Sequence, residues 1–342
     1  MPDILYNLLL VEKTIKNVWK NIDYYRYRNT ISPKKWPNWC FIPLDIITDK
    51  IFNPNFSPDY IDSIKNKSDS TEDARQNIIM MSRAYAMFAS WRYTKGIYSF
   101  DNYLFDELID QPHTDIIPVE VLKRSPEWCI LIKFPKKIYI EDLQIELDSI
   151  LYSIDAYLAN EKEEMFLGLV PILNNNPICC MSVPLSLNKT ISESLEIYNK
   201  GITYVESVPI ETQIRIDTKV TAKFLPFILY LCSEEPEITG NEKPGGFKHK
   251  ITNHRGYPKI YVPPHIRNFK VGEETGKKLK TFRELVETKK VIRPHIRRAH
   301  WHGYWVKSKE TKELEFTYKW LAPSFVIGKN KLGEANQNVQ YS

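Results

Sequence analysis

The sequence predicts an α+β fold in which helices at the N-terminus precede a mainly antiparallel sheet. Apolar residues recur at helical spacing from residue 4 to residue 29, and again from Thr71 to Trp91. A further short helix is expected around Asn102 to Ile109. From residue 126 onwards the pattern changes to short apolar runs bounded by turn-forming residues, which is typical of strands. Helices early in the chain and strands later in it favour the α+β class.

The strands and later helices are predicted from the length and period of each apolar run. The run Trp128–Phe134 predicts a buried strand that ends at Pro135, and the segments 149–158 and 165–173 predict a hairpin. The remaining predicted elements, in chain order, are a strand at 178–187, helices at 190–199, 219–233 and 273–288, and final strands at 296–306 and 314–327.

The chain is expected to fall into three parts and a tail. Residues 1–125 form a mainly helical part and 126–240 an α+β middle part. Residues 241–327 form a basic C-terminal part, either separate from the middle part or continuous with it, and 328–342 a flexible tail. Within this order, the stretch from Glu234 to Ile266 is rich in proline and glycine, which favours a linker or mobile loop.

The composition is that of a globular protein and excludes several classes. Of the 342 residues, 43% are hydrophobic and 26% charged, so a sizeable buried core is expected. There is no apolar run long enough to span a membrane and no recognisable signal peptide. The five cysteines contain no C-x-x-C pair, which indicates reduced thiols in a cytoplasmic protein. Phosphate-loop, dinucleotide and H-E-x-x-H motifs are absent, so we expect neither a cofactor nor a familiar enzyme class.

Positive charge is concentrated near the C-terminus. The net charge is +5, but the segment from Lys243 to Lys312 contains 13 Lys and 6 Arg against 5 Glu and no Asp, a balance of +14. The rest of the chain is therefore acidic. Such asymmetry is typical of a protein that meets a polyanion or an acidic partner, although a solvated basic face gives the same pattern.

The densest cluster of interaction-prone residues lies between Arg293 and Trp305. This block of thirteen residues contains three Arg, three His, two Trp and one Tyr. Arginine forks pair with carboxylates or phosphates and stack on indoles, and interfaces over-use this mixture. Strand alternation divides the block into two faces: Ile296, Arg298, His300, His302 and Tyr304 on one, and Arg297, Ala299, Trp301 and Trp305 on the other.

Three other interpretations of this block remain open. His300 and His302 would project the same way, as a metal site or a pair of acid–base groups requires. A zinc site is disfavoured because it needs three or four ligands and His295 is the only nearby addition. The pair could instead serve a metal-independent ribonuclease or an RNA-binding protein. Alternatively, the tryptophans are core anchors, and the polar side chains bond to neighbouring backbone.

Two further segments are weaker candidates. Trp91 and Arg92 close the second predicted helix, either as binding residues or as a packed helix end. The acidic turn Glu234–Glu237 follows the apolar helix predicted at 219–233. Acids at the C-terminus of a helix oppose its dipole, a local cost that is sometimes kept for function, although a solvated turn is the commoner reason.

The basic and aromatic block also resembles the C-terminal signature of a phage and plasmid family of type V-A anti-CRISPR proteins. The block is followed by Phe316-x-x-x-Trp320-x-x-Pro323-x-Phe325-Val326. Shorter matches occur in the same order upstream: Trp91-Arg-x-x-x-Gly-Ile-Tyr98, Pro126-x-Trp-Cys129, Leu225-Pro226 with Leu231-Cys232, and Glu235-Pro-x-Ile238. Together they cover roughly residues 75 to 327, whereas the first 70 residues and the tail are not matched.

The resemblance implies an inhibitor that lowers production of the type V-A effector nuclease in a bacterial host cell. Members of such a family recognise a polypeptide segment of the effector as it is made, and cause loss of its mRNA without an established nuclease activity of their own. The implied partner is the effector polypeptide or a similar nascent protein, with mRNA or the ribosome as further candidates. The insertions and the basic loop 247–255 depart from the family pattern.

We therefore predict a binding surface with no catalytic residue, metal or cofactor. Its expected members are Arg293, His295, Arg297, Arg298, His300, Trp301, His302, Tyr304 and Trp305, together with Trp91 and Arg92.

Overall fold

The structure is a computed structural model, and the described residues are those that it places. They are 18–31, 36–51, 62, 65–66, 71–109, 119–158, 164–173, 176–177, 180–186, 189–199, 210–245, 251–254, 257–260, 263–287, 295–297, 300–307, 314–321 and 324–326. Residues 4–17 of the predicted first helix and the predicted tail lie outside them.

Eight α-helices occur among the described residues. In chain order they are α1 (Val18–Ile31), α2 (Leu44–Ile46, continued by a π-helical turn at Ile47–Ile51), α3 (Thr71–Thr94), α4 (Asn102–Ile109), α5 (Val119–Leu122), α6 (Ile191–Asn199), α7 (Ile210–Cys232) and α8 (Glu273–Glu287). A 3-10 turn spans Glu141–Leu143. None of these helices is long and apolar enough to cross a membrane.

In the described part of the chain, the strands form one large sheet and three two-stranded ladders. They are β1 (Gly96–Phe100), β2 (Cys129–Ile140), β3 (Ile145–Tyr157), β4 (Glu164–Leu173), β5 (Asn176–Pro177), β6 (Met181–Leu185), β7 (Ile238–Gly240), β8 (Ile251–His254), β9 (Tyr257–Ile260), β10 (Arg267–Val271), β11 (His295–Arg297), β12 (His300–Lys307), β13 (Leu314–Leu321) and β14 (Ser324–Val326).

The large sheet has eight strands in the order β5-β4-β3-β2-β1-β10-β7, with β6 also paired to β4. Strand β1 is parallel to β2 and to β10, and the other pairs are antiparallel. The α+β class with N-terminal helices and a mainly antiparallel sheet is thus confirmed. Strands of this sheet come from all three predicted parts of the chain.

Both faces of the sheet are buried, which explains why its strands are apolar at consecutive positions. Successive side chains of a strand point to opposite faces, so Tyr98 and Ile132 enter one core and Ile97 and Leu131 the other. The first core is closed mainly by α4, α5 and α7. The second is closed by α1 and α3.

Several predicted elements have different bounds in the structure. The strand expected to end at Pro135 continues to Ile140, with a register irregularity between Lys133 and Ile138. Proline cannot donate to the ladder, so the pairing is irregular there although the strand continues. The strand expected at 178–187 is shorter, and the apolar helix begins at Ile210 and holds Pro226 within it.

The segment expected to be a linker or mobile loop contributes to the sheet. Residues 238–240 form the edge strand β7, which pairs with β10, and a separate β8–β9 hairpin follows. Strands β1 and β10 were not predicted, although they form the parallel centre of the sheet. The hairpin of β3 and β4 and the helix Asn102–Ile109 agree with the predictions.

Candidate binding surface at the C-terminal hairpin

The predicted strand at 296–306 occurs as two strands with residues 298–299 outside the described part. Strand β11 pairs with β14, and β12 with β13. Both ladders keep one register, because His295 lies opposite Val326 and His300 opposite Leu321. The predicted alternation therefore runs through both strands, which together with β13 and β14 we call the C-terminal hairpin.

The register places the tryptophans of the hairpin on one face. Trp301 lies opposite Trp320, and Trp305 opposite Phe316. On the other face His302 lies opposite Lys319, and Tyr304 opposite Thr317. The division into two faces that the alternation predicted is thus present in the β12 ladder.

The hairpin is anchored at one end and exposed at the other. Trp301 is partly buried against the core that α7 closes. Trp305 is 65% exposed and Leu314 is 66% exposed. His302 is also exposed, and its ring stacks on that of Tyr304 with centroids 5.5 Å apart. The exposed end therefore offers an indole, an imidazole and an aliphatic side chain to solvent.

The acidic turn Glu234–Glu237 contacts the anchored end of the hairpin, near Trp301, which we call its root. The Tyr304 hydroxyl donates a hydrogen bond to the Glu234 carboxylate, and this bond raises the pKa of Tyr304. The Lys319 Nζ atom lies 3.8 Å from a carboxylate oxygen of Glu235. The position of the turn after α7 thus brings two acids to the hairpin. The sequence predicted only an unfavourable placement at the end of a helix.

The third acid of this turn caps α8. The Glu237 carboxylate accepts hydrogen bonds from the Thr275 N–H at 2.9 Å and from its hydroxyl at 2.7 Å. The N–H of Gly272, whose φ of 75° suits glycine, donates to the Glu237 carbonyl at 2.9 Å. A carboxylate is favourable at a helix N-terminus. One short turn therefore connects α7, α8 and the hairpin.

The remaining predicted residues of the block are described only in part. The backbones of His295, Arg297 and His300 lie in strands β11 and β12. Arg293 and Arg298 lie outside the described residues. Within the described residues there is no group of three His, Cys, Asp or Glu side chains able to hold a metal ion.

Trp91 and Arg92 are not part of the hairpin surface. Trp91 is fully buried in the other core, where its Nε1 atom donates to the Gly96 carbonyl at 2.9 Å. Arg92 pairs with Asp23 of α1, and its guanidinium lies 5.2 Å from the centre of the Trp19 ring. In this structure Trp91 has no surface to offer a partner, and Arg92 fixes α1 against α3.

Helix α8 carries four basic and four acidic side chains, and several of its cations pair with acids. Lys277 bonds to Glu274 at 2.6 Å, and Lys270 bonds to Glu273 at 2.8 Å. Arg283 reaches Asp106 and Glu107 of α4 at 3.1 and 3.0 Å. These cations are partly neutralised by neighbouring acids, which weakens the attraction of this helix for a polyanion.

The structure also contains a buried ion pair that the sequence did not predict. Arg267 begins β10, and its guanidinium bonds to Glu127 at 2.5 Å and to the Thr94 carbonyl at 3.1 Å. It also bonds to Glu242 at 2.7 Å. Burial raises the pKa of Glu127 to about 7, although the charge of Arg267 opposes this shift. The network joins the amino ends of β1, β2 and β10, and its partners are too far apart in sequence to form a recognisable motif.

Comparison with known proteins defines the class of this chain. Residues 98–328 match a family model described as the anti-CRISPR type V subtype A2 family. A match of this extent identifies an anti-CRISPR protein. The chain belongs to the AcrVA2-like family, which confirms the resemblance indicated by the motifs.

A solved structure shares the fold over nearly the whole chain. The crystal structure of AcrVA2 superposes with a TM-score of 0.66 at 19% sequence identity, and the match covers 96% of this chain and 100% of that one. At this identity the likeness concerns the fold alone. The curated proteins contain no match.

Proposed function

We propose that the protein lowers the level of a type V-A CRISPR effector nuclease by binding a polypeptide segment of it during translation, which leads to loss of its mRNA. Membership of the type V subtype A2 family supports the choice of target. The observation that carries the binding role is the exposed end of the hairpin, where Trp305 is 65% exposed.

The exposed end of the hairpin suits a polypeptide partner. Trp and Tyr provide large contact areas at low entropic cost, and they dominate the binding energy of many interfaces. Trp305 and His302 lie on opposite faces of β12, whose root is fixed by Trp301 and by the Tyr304–Glu234 bond. A rigid root limits the ordering cost of binding, which favours affinity.

Recovery of stalled ribosome–nascent chain complexes tests this function. Tagged protein is incubated with complexes that display the effector polypeptide, and recovery is compared between the wild type and Trp305→Ala. We expect the variant to lose most of the recovery. The matched control is Tyr139→Ala, which removes another exposed aromatic side chain (46% exposed) from the main sheet. Equal recovery by the wild type and Trp305→Ala would contradict the proposal.

Effector mRNA measured in cells completes the test. Wild-type protein is expected to lower the mRNA only when the message is translated, because the proposed target is the nascent chain. Purified protein is expected to leave labelled effector mRNA intact. Cleavage of that RNA, abolished by replacing His300 and His302 with alanine, would instead support a ribonuclease.

A further inference from the structure

We infer that the outer edge of β12, between His302 and Lys307, takes up an extended polypeptide segment as an added strand. This inference rests on the proposed function and specifies how the partner is bound. Its basis is the pairing of the hairpin, the exposure of Gly303 and the charge of the strand.

The first observation is an open row of backbone groups. Among the described residues, β12 pairs with β13 and with no other strand. The opposite side of the ladder is occupied, because β13 packs against α5. In an antiparallel pair, alternate residues turn their N–H and C=O groups away from the partner strand. Alternate residues along the eight-residue strand β12 therefore present hydrogen-bonding groups that another strand can pair with.

The second observation is the position of Gly303. This residue lies inside β12, opposite Tyr318, and it is exposed. Glycine weakens a strand interior, and such a position often marks a place where another backbone approaches closely. Trp305 lies two residues further on the same face of the strand. A strand added here would gain backbone bonds near Gly303 and a side-chain contact at Trp305, as in known recognition by strand addition.

Charge favours a foreign polypeptide over a second copy of this chain. Strand β12 contains one Lys or Arg side chain, the exposed Lys307, and no Asp or Glu. Pairing of two copies of β12 would place two positively charged strands side by side with no acid to neutralise either, which is unfavourable across a strand pair. The expected occupant is therefore a neutral or acidic segment in extended conformation.

A backbone N-methylation scan tests the mode of binding. Short overlapping synthetic peptides that span a type V-A effector nuclease are first screened against the full-length protein. The tightest binder is then N-methylated at one residue at a time, which removes one N–H donor. We expect affinity to fall at least about fivefold at alternate positions and to change little at those between, because an added strand points every second N–H at its neighbour.

Substitution of Gly303 provides a second measurement. Gly303→Val adds a β-branched side chain that suits a strand but crowds an approaching backbone. We expect weaker peptide binding at an unchanged melting temperature, while Tyr139→Ala keeps wild-type affinity. Sedimentation of the wild type at the assay concentration is expected to show a monomer. A dimer that disappears in Gly303→Val is not expected.

Each contrary result has a distinct meaning. If N-methylation has no two-residue period while Trp305→Ala still abolishes binding, side chains alone recognise the peptide; the strand-addition inference is then wrong and the proposed function stands. If no effector peptide binds the wild type, both are wrong. A dimer sensitive to Gly303→Val identifies a second copy as the occupant and also overturns the inference.

Discussion

The carboxylate of Glu237 holds Thr275 by two hydrogen bonds, one to its backbone N–H at 2.9 Å and one to its hydroxyl at 2.7 Å. These bonds satisfy donors at the start of α8 that have no partner within the helix. Because Glu237 directly precedes the edge strand β7 and α8 follows β10, the contact fixes the edge of the sheet to the helix. The cap is therefore a tertiary contact rather than a local one.

Glu237→Ala is expected to lower the free energy of unfolding by about 1–2 kcal/mol, because it removes this cap. Urea denaturation provides the measurement. The control is Glu235→Ala in the same turn, whose side chain is 82% exposed and whose nearest cation, on Lys319, lies 3.8 Å away. That variant is expected to stay within about 0.5 kcal/mol of the wild type. Equal losses for the two variants would contradict a specific capping role.

The Arg267–Glu127 pair predicts strongly non-additive effects. Both side chains are buried, at 5% and 1% exposure. Arg267→Met leaves the Glu127 carboxylate buried without its cation and is expected to cost roughly 3–5 kcal/mol. The double variant Arg267→Met/Glu127→Gln should be more stable than Arg267→Met alone, since no charge is then left unpaired. A double-mutant cycle by urea denaturation measures this coupling, and additive losses would show that the pair is not coupled.

The structure explains which elements the sequence predicts. Helix Asn102–Ile109 carries a local signal, because Asp101 precedes it and its carboxylate accepts a hydrogen bond from the Tyr103 N–H at 2.8 Å. The β3–β4 hairpin is also local, with two long apolar runs joined by a short polar segment. In both cases the partners are near neighbours in the chain.

The elements that were missed depend on contacts between distant residues. Strands β1 and β10 have five residues each, and they pair with each other in parallel, beginning with Gly96 opposite Arg267. Nothing next to either strand in sequence indicates that partner. Trp91 was predicted as a binding residue from its neighbours Arg92 and Gly96, but the sheet that buries it is formed by later segments. The exposure of Trp305 likewise depends on the packing of the hairpin, which places Trp301 against the core and leaves Trp305 in solvent.

Asp155 is expected to make stability depend on pH. It is buried in the sheet, where it accepts a hydrogen bond from the Ser153 hydroxyl at 2.8 Å, and burial raises its pKa from 3.8 to about 6. The folded protein then keeps a proton that the unfolded chain loses at lower pH. The stabilisation is complete below pH 3.8 and decreases as the pH rises towards about 6. The total loss is on the order of 3 kcal/mol, since a tenfold change in the dissociation constant corresponds to about 1.4 kcal/mol.

Asp155→Asn isolates this contribution from those of other carboxylates. The variant carries no proton that can be lost, so it should gain stability relative to the wild type as the pH rises from about 4 to 7. Urea midpoints measured for both proteins across this range give the difference. Ser182→Ala, at a partly exposed position of strand β6, which pairs with β4, is the control and should follow the wild-type curve. Parallel curves for Asp155→Asn and the wild type would contradict the raised pKa.

Trp91 and Trp305 were both predicted to be binding residues, but their substitution should have opposite effects on stability and on binding. Trp91 is fully buried and bonds to the Gly96 carbonyl, so Trp91→Ala is expected to cost about 3–5 kcal/mol through the cavity that it leaves. Trp305 is 65% exposed, so Trp305→Ala should change the free energy of unfolding by less than about 1 kcal/mol. Thermal and urea denaturation of both variants measure these effects. Peptide binding should show the reverse order at a temperature where both variants remain folded: loss in Trp305→Ala and retention in Trp91→Ala. The contrary result is a folded Trp91→Ala protein that loses binding while Trp305→Ala keeps it. It would show that the binding surface lies near the end of α3 and not on the hairpin.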